Sequence, residues 1–172
     1  MNVLVLGGMS PRHKEWVRQV ASVLKPHFNE VRLLDYRHWD QEGAEMNLEY
    51  EITQTTMLAQ DLGDYVVVAK SIGTVVAILA NSRDLISPAR CVFMGFPLKV
   101  VLATIPEVAD ALPKLPVDTT FLHNDHDPLG AAEDISAYIS EHMPQAPVFM
   151  TMPGGTHDYI DFDLITRLTS KT

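Results

Sequence analysis

The sequence predicts an α/β fold, a three-layer αβα sandwich in which a six-stranded, mostly parallel sheet lies between two layers of helices. Short apolar runs alternate with longer amphipathic segments along the chain, as expected for βαβ units with right-handed crossovers. Polar residues do not alternate with apolar ones within these runs, and such uninterrupted runs are typical of strands buried on both faces. With 172 residues, 47% hydrophobic and 20% charged, the chain is expected to form a single domain over residues 1–172.

Each predicted element rests on its own local pattern. Residues 66–69, three valines and an alanine, show the β-branched composition of a buried strand. The predicted strands are 3–6, 31–34, 65–69, 91–95, 119–122 and 147–152. Amphipathic spacing predicts helices over 12–24, 47–62, 72–83, 131–142 and 159–169, and the proline-rich stretch 97–112 carries a shorter predicted helix over 105–112.

Charge and cysteine content exclude several classes of partner. The formal net charge is −9 and no basic run is present, which argues against nucleic acid or an anionic membrane surface. Cys91 is the only cysteine, and its apolar neighbours predict a buried thiol in a reducing compartment. Residues 1–8 lack the basic start of a signal peptide, and no stretch reaches the roughly 18 apolar residues of a membrane span. We expect a cytoplasmic monomer or homodimer without a cofactor.

Ser71 is the strongest candidate for chemistry. It follows the third predicted strand and precedes Gly73 and a helix, as in a strand–turn–helix that presents a nucleophilic serine. The G-x-S-x-G pattern of such turns reads A-x-S-x-G here, with Ala69 at its first position. A phosphate-binding loop is excluded because it requires glycine where Asp64 and Ala69 stand. For Ser71 alone, a helix N-cap is the competing interpretation.

Other polar residues follow the remaining strands. Segment 7–10 follows the first strand, 123–129 the fifth and 153–158 the sixth. Because functional groups of such folds collect at the carboxyl ends of the strands, Asp127 and His157 are expected to lie near Ser71.

The chain resembles a small α/β-hydrolase without a lid, over nearly its whole length but without that family's first two strands. In the family, the nucleophile, acid and histidine follow one another along the chain, and Ser71, Asp127 and His157 take that order. The resemblance implies the strand order 2-1-3-4-5-6. It also implies a serine esterase that cleaves a small ester or thioester through an acyl-enzyme, without a metal.

The resemblance also assigns the catalytic roles. His157, in a glycine-rich loop, is expected to be the base, and Asp127 to orient its ring. Asn124 takes the place of a family glycine, as a residue that tolerates positive φ, and this selects Asp127 over Asp125. Asp158 is a weaker candidate for the acid.

The oxyanion hole and substrate site follow from the same resemblance. The amide of Ile72 is the first expected oxyanion donor, and Met9 is favoured for the second over Gly8 and Ser10. The segment after the fourth strand, together with Tyr36 and Trp39, is either an acyl pocket or core packing. The predicted substrate-binding residues are Gly8, Ser10, Phe96, Pro97 and Leu98.

Two alternatives remain beside this interpretation. The cluster 123–127 contains His123, Asp125, His126 and Asp127, but successive residues point in different directions and few can converge on a metal. The second alternative is a hydrolase-fold protein that binds a ligand or a protein without catalysis, because Ala69 and Asn124 replace glycines of the family pattern. The remaining histidines are expected on exposed surfaces: His13, His27, His38 and His142.

Overall fold

A six-stranded parallel sheet forms the centre of the molecule in the computed structural model, which describes residues 1–171. The strand order β2-β1-β3-β4-β5-β6 confirms the predicted order, and every neighbouring pair runs parallel. The strands are β1 (Asn2–Leu6), β2 (Val31–Leu33), β3 (Tyr65–Lys70), β4 (Arg90–Met94), β5 (Thr119–Asn124) and β6 (Val148–Met152).

Helices cover both faces of this sheet. They are α1 (His13–Leu24), α2 (Leu48–Ala59), α3 (Ile72–Ser82), α4 (Leu98–Thr104), α5 (Val108–Ala111), α6 (Ala132–His142) and α7 (Phe162–Thr169). Helix α1 packs against α7, whereas α3 packs against α2 and α5. Short 3₁₀ turns follow α1, β2 and α5 (Lys25–His27, Arg37–Asp40 and Leu112–Lys114). Within residues 1–171, no helix has both the length and the apolar character needed to span a bilayer.

Burial divides the sheet into a core and two edges. Strands β3, β4 and β5 are buried along their whole length, and β4 contains Cys91 as a buried free thiol, as predicted. Strands β2 and β6 are only partly buried, so the expectation that every strand is covered on both faces is wrong. Each of these two strands has one neighbouring strand, and the helices cover it incompletely.

Several helix boundaries differ from the sequence prediction, and α2 ends at Ala59 rather than residue 62. Helix α7 begins at Phe162 rather than residue 159, because the Asp161 carboxylate caps it by accepting the Leu164 N–H at 2.9 Å. Tyr159 is therefore left in the preceding loop. In the stretch 97–112, α4 was not predicted, and α5 is shorter than the predicted helix 105–112. Pro106 separates the two helices because it cannot donate a backbone hydrogen bond.

Close contact between α3 and β1 determines the turn after β3. A Cβ atom on Gly73 would lie 2.5 Å from the Gly7 carbonyl oxygen and 2.9 Å from that of Leu6. Both are backbone atoms, which cannot move aside as a flexible side chain can. Glycine at this position therefore allows the N-terminus of α3 to start directly above the end of β1, beside Ser71.

Candidate active site

Ser71 occupies a strained turn at the carboxyl end of β3. Its backbone has φ 55° and ψ −128°, a left-handed conformation that costs a non-glycine residue about 1–3 kcal/mol. Three hydrogen bonds hold it: the Ser71 N–H donates to the Met94 carbonyl, and the Ser71 carbonyl accepts from the N–H and the hydroxyl of Thr74. The Ser71 side chain makes no capping hydrogen bond to α3, so the N-cap interpretation is wrong.

His157 and Asp127 form a hydrogen-bonded pair. The distance from His157 Nδ1 to Asp127 Oδ2 is 2.7 Å. Because the carboxylate accepts, Nδ1 carries the ring proton and Nε2 keeps a lone pair. Asp127 also accepts the Tyr159 hydroxyl at 2.7 Å and the Leu129 N–H at 2.8 Å. Burial alone would raise the pKa of Asp127, but these hydrogen bonds outweigh it and lower the pKa below its ordinary value.

Asn124 holds the loop that carries His157. Its side-chain amide donates to the carbonyls of Thr156, at 2.9 Å, and Asp158, at 3.1 Å, the residues on either side of His157. Its backbone N–H donates to the Tyr159 hydroxyl. Asn124 belongs to β5 and does not have a positive φ, so the prediction that it substitutes for a left-handed glycine is wrong. The side-chain amide of Asn124 supplies two hydrogen-bond donors to this loop, and glycine has no side chain that could supply them.

Gly95 makes room for the histidine ring. It follows β4 with φ 59°, and a Cβ atom there would lie 2.7 Å from His157 Cε1 and 2.6 Å from Tyr159 Cε2. Any larger residue would be strained by this φ and would displace both rings. The position of His157 therefore depends on the end of β4 as well as on β5.

Ser71 and His157 line the same cleft, which has a volume of about 1090 Å³. His157 Nε2 is buried and has no hydrogen-bond partner among residues 1–171, so no hydrogen bond joins it to Ser71. In enzymes with this constellation, such a contact is often loose without substrate and tightens in the complex. Nε2 is therefore left without a partner beside the cleft.

The walls of the cleft are formed by the loops after β1 and β2. Met9 and Ser10 line it, and Trp39 forms an apolar part of the wall. Gly8 faces the His13 ring instead, because a Cβ atom on Gly8 would lie 2.1 Å from His13 Nδ1. His13 was expected on an exposed surface, but it is only partly exposed and lines the cleft.

The predicted apolar pocket after β4 is not part of this cleft. Phe96, Pro97 and Leu98 are buried and do not line it. The Phe96 ring packs against Phe121 and Tyr138, with centroids 6.3 and 6.1 Å away. Phe96, Pro97 and Leu98 therefore pack in the core where α4 begins, whereas Leu102 of the same segment is exposed and Trp39 lines the cleft.

The two predicted oxyanion donors are unpaired backbone amides. Ile72 is the first residue of α3, where helix geometry leaves the N–H without an intrahelical partner. Within residues 1–171, the amides of Ile72 and Met9 donate to no other backbone group. The Met9 carbonyl accepts Nε2 of His38 at 2.6 Å. His38 is buried, so the expectation that it lies on an exposed surface is wrong.

Lys70 is a buried cation that sequence reasoning missed. It is 2% exposed, and its ammonium lies 5.5 Å from the Trp16 ring centre and 5.9 Å from that of Tyr159. Burial lowers the pKa of Lys70 to about 8, although the carboxylates of Asp158 and Asp127 oppose this shift. The sequence does contain an indication of this burial, because Lys70 is the last residue of an otherwise apolar strand.

The histidine and aspartate cluster at the end of β5 is divided among separate tasks. His123 is buried, accepts the Phe96 N–H at 3.2 Å, and has its pKa lowered by burial to about 4. Asp125 accepts the Gly154 N–H at 2.8 Å, whereas His126 is exposed. In the part of the chain that the structure describes, no three His, Cys, Asp or Glu residues are arranged to hold a metal ion.

The sequence matches no protein-family model and no curated protein sequence. Its structure, in contrast, is similar to several solved structures. A monoacylglycerol lipase from Paleococcus ferrophilus has a TM-score of 0.78 at 12% identity, covering 98% of this chain and 94% of the lipase. Alpha/beta hydrolase domain-containing protein 10 from mouse has a TM-score of 0.72 at 12% identity, covering 96% of this chain and 86% of that protein. The chain has the α/β-hydrolase fold.

A third solved structure is similar over nearly the whole chain. Acyl-protein thioesterase 2 from Zea mays has a TM-score of 0.61 at 11% identity, covering 98% of this chain and 88% of the thioesterase. The resemblance inferred from the motifs is thus confirmed at the level of the fold. Because a fold hosts many functions, the chemistry has to be argued from the site itself.

We predict that Lys70→Met makes the protein more stable near neutral pH, by about 1–3 kcal/mol, because it removes a charge from an apolar site. The pKa of Lys70 is about 8 in the folded protein, against an ordinary 10.5. Below pH 8, Lys70 is protonated in both the folded and the unfolded protein, so the full free-energy cost of burying its charge is present. Between these two pKa values, Lys70 holds a proton more often in the unfolded chain than in the folded protein. The free energy of unfolding of the wild type therefore rises with pH, and the difference in stability between Lys70→Met and the wild type becomes smaller.

Denaturant unfolding of both proteins from pH 6 to pH 11 measures this difference. Lys25→Met, which removes an exposed lysine, is the control. A difference between wild type and Lys70→Met that stays constant across the whole range would contradict the prediction.

Proposed function

We propose that this protein is a serine hydrolase that cleaves a small ester or thioester through an acyl-enzyme. The observation that carries the proposal is the hydrogen-bonded His157–Asp127 pair beside the cleft that Ser71 also lines, with His157 Nε2 left without a hydrogen-bond partner among residues 1–171. A serine hydroxyl becomes an effective nucleophile only when a base removes its proton during attack. The strained turn, which holds the serine at the end of β3, is typical of such a nucleophile.

In this mechanism, the Ser71 hydroxyl attacks the substrate carbonyl while His157 Nε2 takes its proton. His157 then returns the proton to the leaving alcohol or thiol, and an acyl-serine remains. Water attacks the acyl-serine by the same steps in reverse, which releases the acid and restores Ser71. Asp127 stays ionised and stabilises the imidazolium that forms in each step.

The negative charge on the carbonyl oxygen requires fixed donors. We assign this role to the amides of Ile72 and Met9, which have no backbone acceptor within residues 1–171. Donors fixed in advance are worth about 3–4 kcal/mol each in the transition state, because they need no reorganisation as charge develops.

The cleft favours a small or extended acyl group. Its apolar wall includes Trp39, Met46 and Leu129, and the predicted acyl pocket of Phe96–Leu98 is replaced by this wall. The names of two structural neighbours, a monoacylglycerol lipase and an acyl-protein thioesterase, support acyl esters and thioesters as the substrate class.

A binding protein without catalysis is the second candidate function. It is favoured by the missing hydrogen bond between His157 Nε2 and Ser71. If the nucleophile stays apart from its base when a ligand binds, the cleft would hold an acyl compound without cleaving it. Labelling of Ser71 separates the two candidates.

We predict that a fluorophosphonate probe labels the folded protein at Ser71, and that Ser71→Ala abolishes both labelling and hydrolysis of a short p-nitrophenyl ester. Only an activated serine attacks such a probe, so heat-denatured protein should remain unlabelled. Ser140→Ala, which changes an exposed serine of α6, is the matched control and should behave as wild type. A folded wild-type protein that resists the probe would favour the binding function.

The role of Asp127 predicts a contrast between two neighbouring aspartates. Asp127→Asn should lower kcat by about a thousandfold or more, because an amide no longer fixes the productive tautomer of His157. Asp125→Asn keeps the oxygen that accepts the Gly154 N–H and should change kcat by less than about threefold. Steady-state kinetics of both variants test the assignment of Asp127 as the triad acid. Equal losses of kcat in the two variants would contradict it.

The contacts of Asn124 predict that restoring the family glycine is harmful. Asn124→Gly removes both donors that hold the carbonyls beside His157. A displacement of the ring by about 1 Å would lower kcat by about a hundredfold. Kinetics should be measured below the melting temperature of the variant, and unchanged kcat would show that the loop holds itself.

A further inference from the structure

Tyr159, in the loop between β6 and α7, connects the loop that carries His157 with the segment that carries Asp127. Its side chain is 1% exposed. The hydroxyl donates to Asp127 Oδ2 at 2.7 Å and accepts the Asn124 N–H at 3.1 Å. Because α7 begins only at Phe162, Tyr159 lies outside that helix, and its side chain reaches the end of β5.

The two partners of the Tyr159 hydroxyl determine where its proton points. A backbone N–H can only donate, so the phenol oxygen accepts from Asn124 and its own proton points to Asp127. Burial and the charge of Asp127 raise the pKa of Tyr159, so the phenol keeps this proton. Burial would also raise the pKa of Asp127, but its hydrogen bonds lower it. The contact therefore joins a phenol O–H to a carboxylate, a class of hydrogen bond roughly twice as strong as a neutral one.

The phenol and the histidine ring share one oxygen of Asp127. His157 Nδ1 and the Tyr159 hydroxyl each lie 2.7 Å from Oδ2, whereas Oδ1 accepts the Leu129 N–H at 2.8 Å. A carboxylate oxygen has about two lone-pair sites, so the phenol occupies the site on Oδ2 that the ring leaves open. With three donors on its two oxygens, the carboxylate cannot turn without breaking a hydrogen bond. The direction in which it holds the His157 ring is therefore fixed before substrate arrives.

Other contacts fix Tyr159 itself. Its carbonyl accepts Trp16 Nε1 of α1 at 2.6 Å. Its ring meets the His157 ring edge to face, with centroids 5.9 Å apart and an interplanar angle of 89°, and the Lys70 ammonium lies 5.9 Å from its centre. Gly95 leaves space for it, since a Cβ atom there would lie 2.6 Å from Tyr159 Cε2. Tyr159 is thus held at its backbone, its ring and its hydroxyl, as a rigid support for another side chain requires.

We propose that Tyr159 is a positioning residue of the active site, whose hydroxyl orients the Asp127 carboxylate and, through it, the His157 ring. Tyr159 is not among the residues that line the cleft, so it acts through Asp127 and not on the substrate. The inference rests on the proposed serine-hydrolase function and adds a fourth side chain to Ser71, Asp127 and His157.

Simple packing of Tyr159 would have a different signature. A packing role depends on the ring, which phenylalanine keeps, whereas the proposed role depends on the hydroxyl. Tyr65 offers a matched control, because it is 4% exposed and its hydroxyl accepts the Ser87 N–H at 3.0 Å. It begins β3, whereas Ser71 follows the other end of that strand. Tyr159→Phe and Tyr65→Phe each remove a buried hydroxyl that accepts a backbone N–H, but only the first removes a donor to Asp127.

The kinetic test uses the full chain and a short p-nitrophenyl ester, below the melting temperature of each variant. Tyr159→Phe should lower kcat by about 10- to 100-fold with little change in KM, because a shift of the His157 ring by up to about 1 Å costs as much as a hundredfold. Tyr65→Phe should keep kcat within about threefold of wild type, since it is remote from the site. Equal losses in the two variants, an unchanged kcat in Tyr159→Phe, or a loss confined to KM would overturn the proposal.

A double-mutant cycle tests whether the hydroxyl acts through Asp127. Once Asp127 is replaced by asparagine, Tyr159→Phe should lower kcat by less than about threefold further, because residues that act as a unit are not additive. Losses that multiply would show that the hydroxyl acts by another route, such as its contact with the Asn124 N–H, and would overturn the proposal.

The proton on His157 Nδ1 gives a readout that does not need hydrolysis. Its ¹H NMR signal can be assigned by its loss in His157→Gln. In Tyr159→Phe this signal should move to lower field, because Oδ2 then accepts from the ring alone and their hydrogen bond becomes stronger. In Tyr65→Phe it should stay in place. A signal that does not move in Tyr159→Phe overturns the proposal, since a purely structural loss would leave this hydrogen bond as it is.

The hydrolase function and the role of Tyr159 fail in different ways. A folded wild-type protein that the fluorophosphonate probe does not label contradicts the hydrolase function, and the shift of the His157 Nδ1 proton then decides by itself whether the phenol positions the pair. A labelled wild type whose Nδ1 signal is the same in Tyr159→Phe contradicts the role of Tyr159 alone.

Discussion

The buried carboxylate of Asp127 is the interaction on which the site depends. A charge taken out of water must be matched by hydrogen-bond donors, and three reach this one: the His157 ring, the Tyr159 hydroxyl and the Leu129 amide. These donors come from the loops that follow β5 and β6, so satisfying one charge brings two distant segments together. The ring orientation of His157 follows from that requirement.

The parallel sheet makes this convergence possible. All six strands run in one direction, so the segments that leave their carboxyl ends share one edge of the sheet. Ser71 follows β3, Gly95 follows β4, and Asn124 ends β5. Each contributes something different there: Ser71 is a serine on a strained turn, Gly95 leaves space for the His157 ring, and Asn124 supplies two amide donors to the loop around that ring.

The sequence predicted the parts of this structure that depend on local pattern. The six strands were located correctly because apolar runs report burial directly, whereas their order was correct because it follows from the resemblance to the α/β-hydrolases. The predicted burial of the edge strands and the predicted helix in segment 97–112 were less accurate. Both depend on tertiary contacts, namely how far helices cover a strand and where Pro106 interrupts a helix. His38 was placed on the surface because nothing in its neighbours reveals that the Met9 carbonyl would face it. Asn124 was interpreted by analogy with glycine, whereas its role depends on a loop more than thirty residues away.

The cleft wall has a consequence for how this protein can change. Ser71, Asp127 and His157 follow β3, β5 and β6, whereas segment 38–46, which lines much of the cleft, follows β2 at one edge of the sheet. Residues 40–45 of that segment are exposed, and Asp40 among them pairs with Lys14 at 2.6 Å. Substitutions and length changes there leave β3, β5 and β6 in place. The cleft wall and the arrangement of Ser71, Asp127 and His157 can therefore change separately in this chain, and a library confined to residues 40–45 is the natural starting point for altering what the cleft accepts.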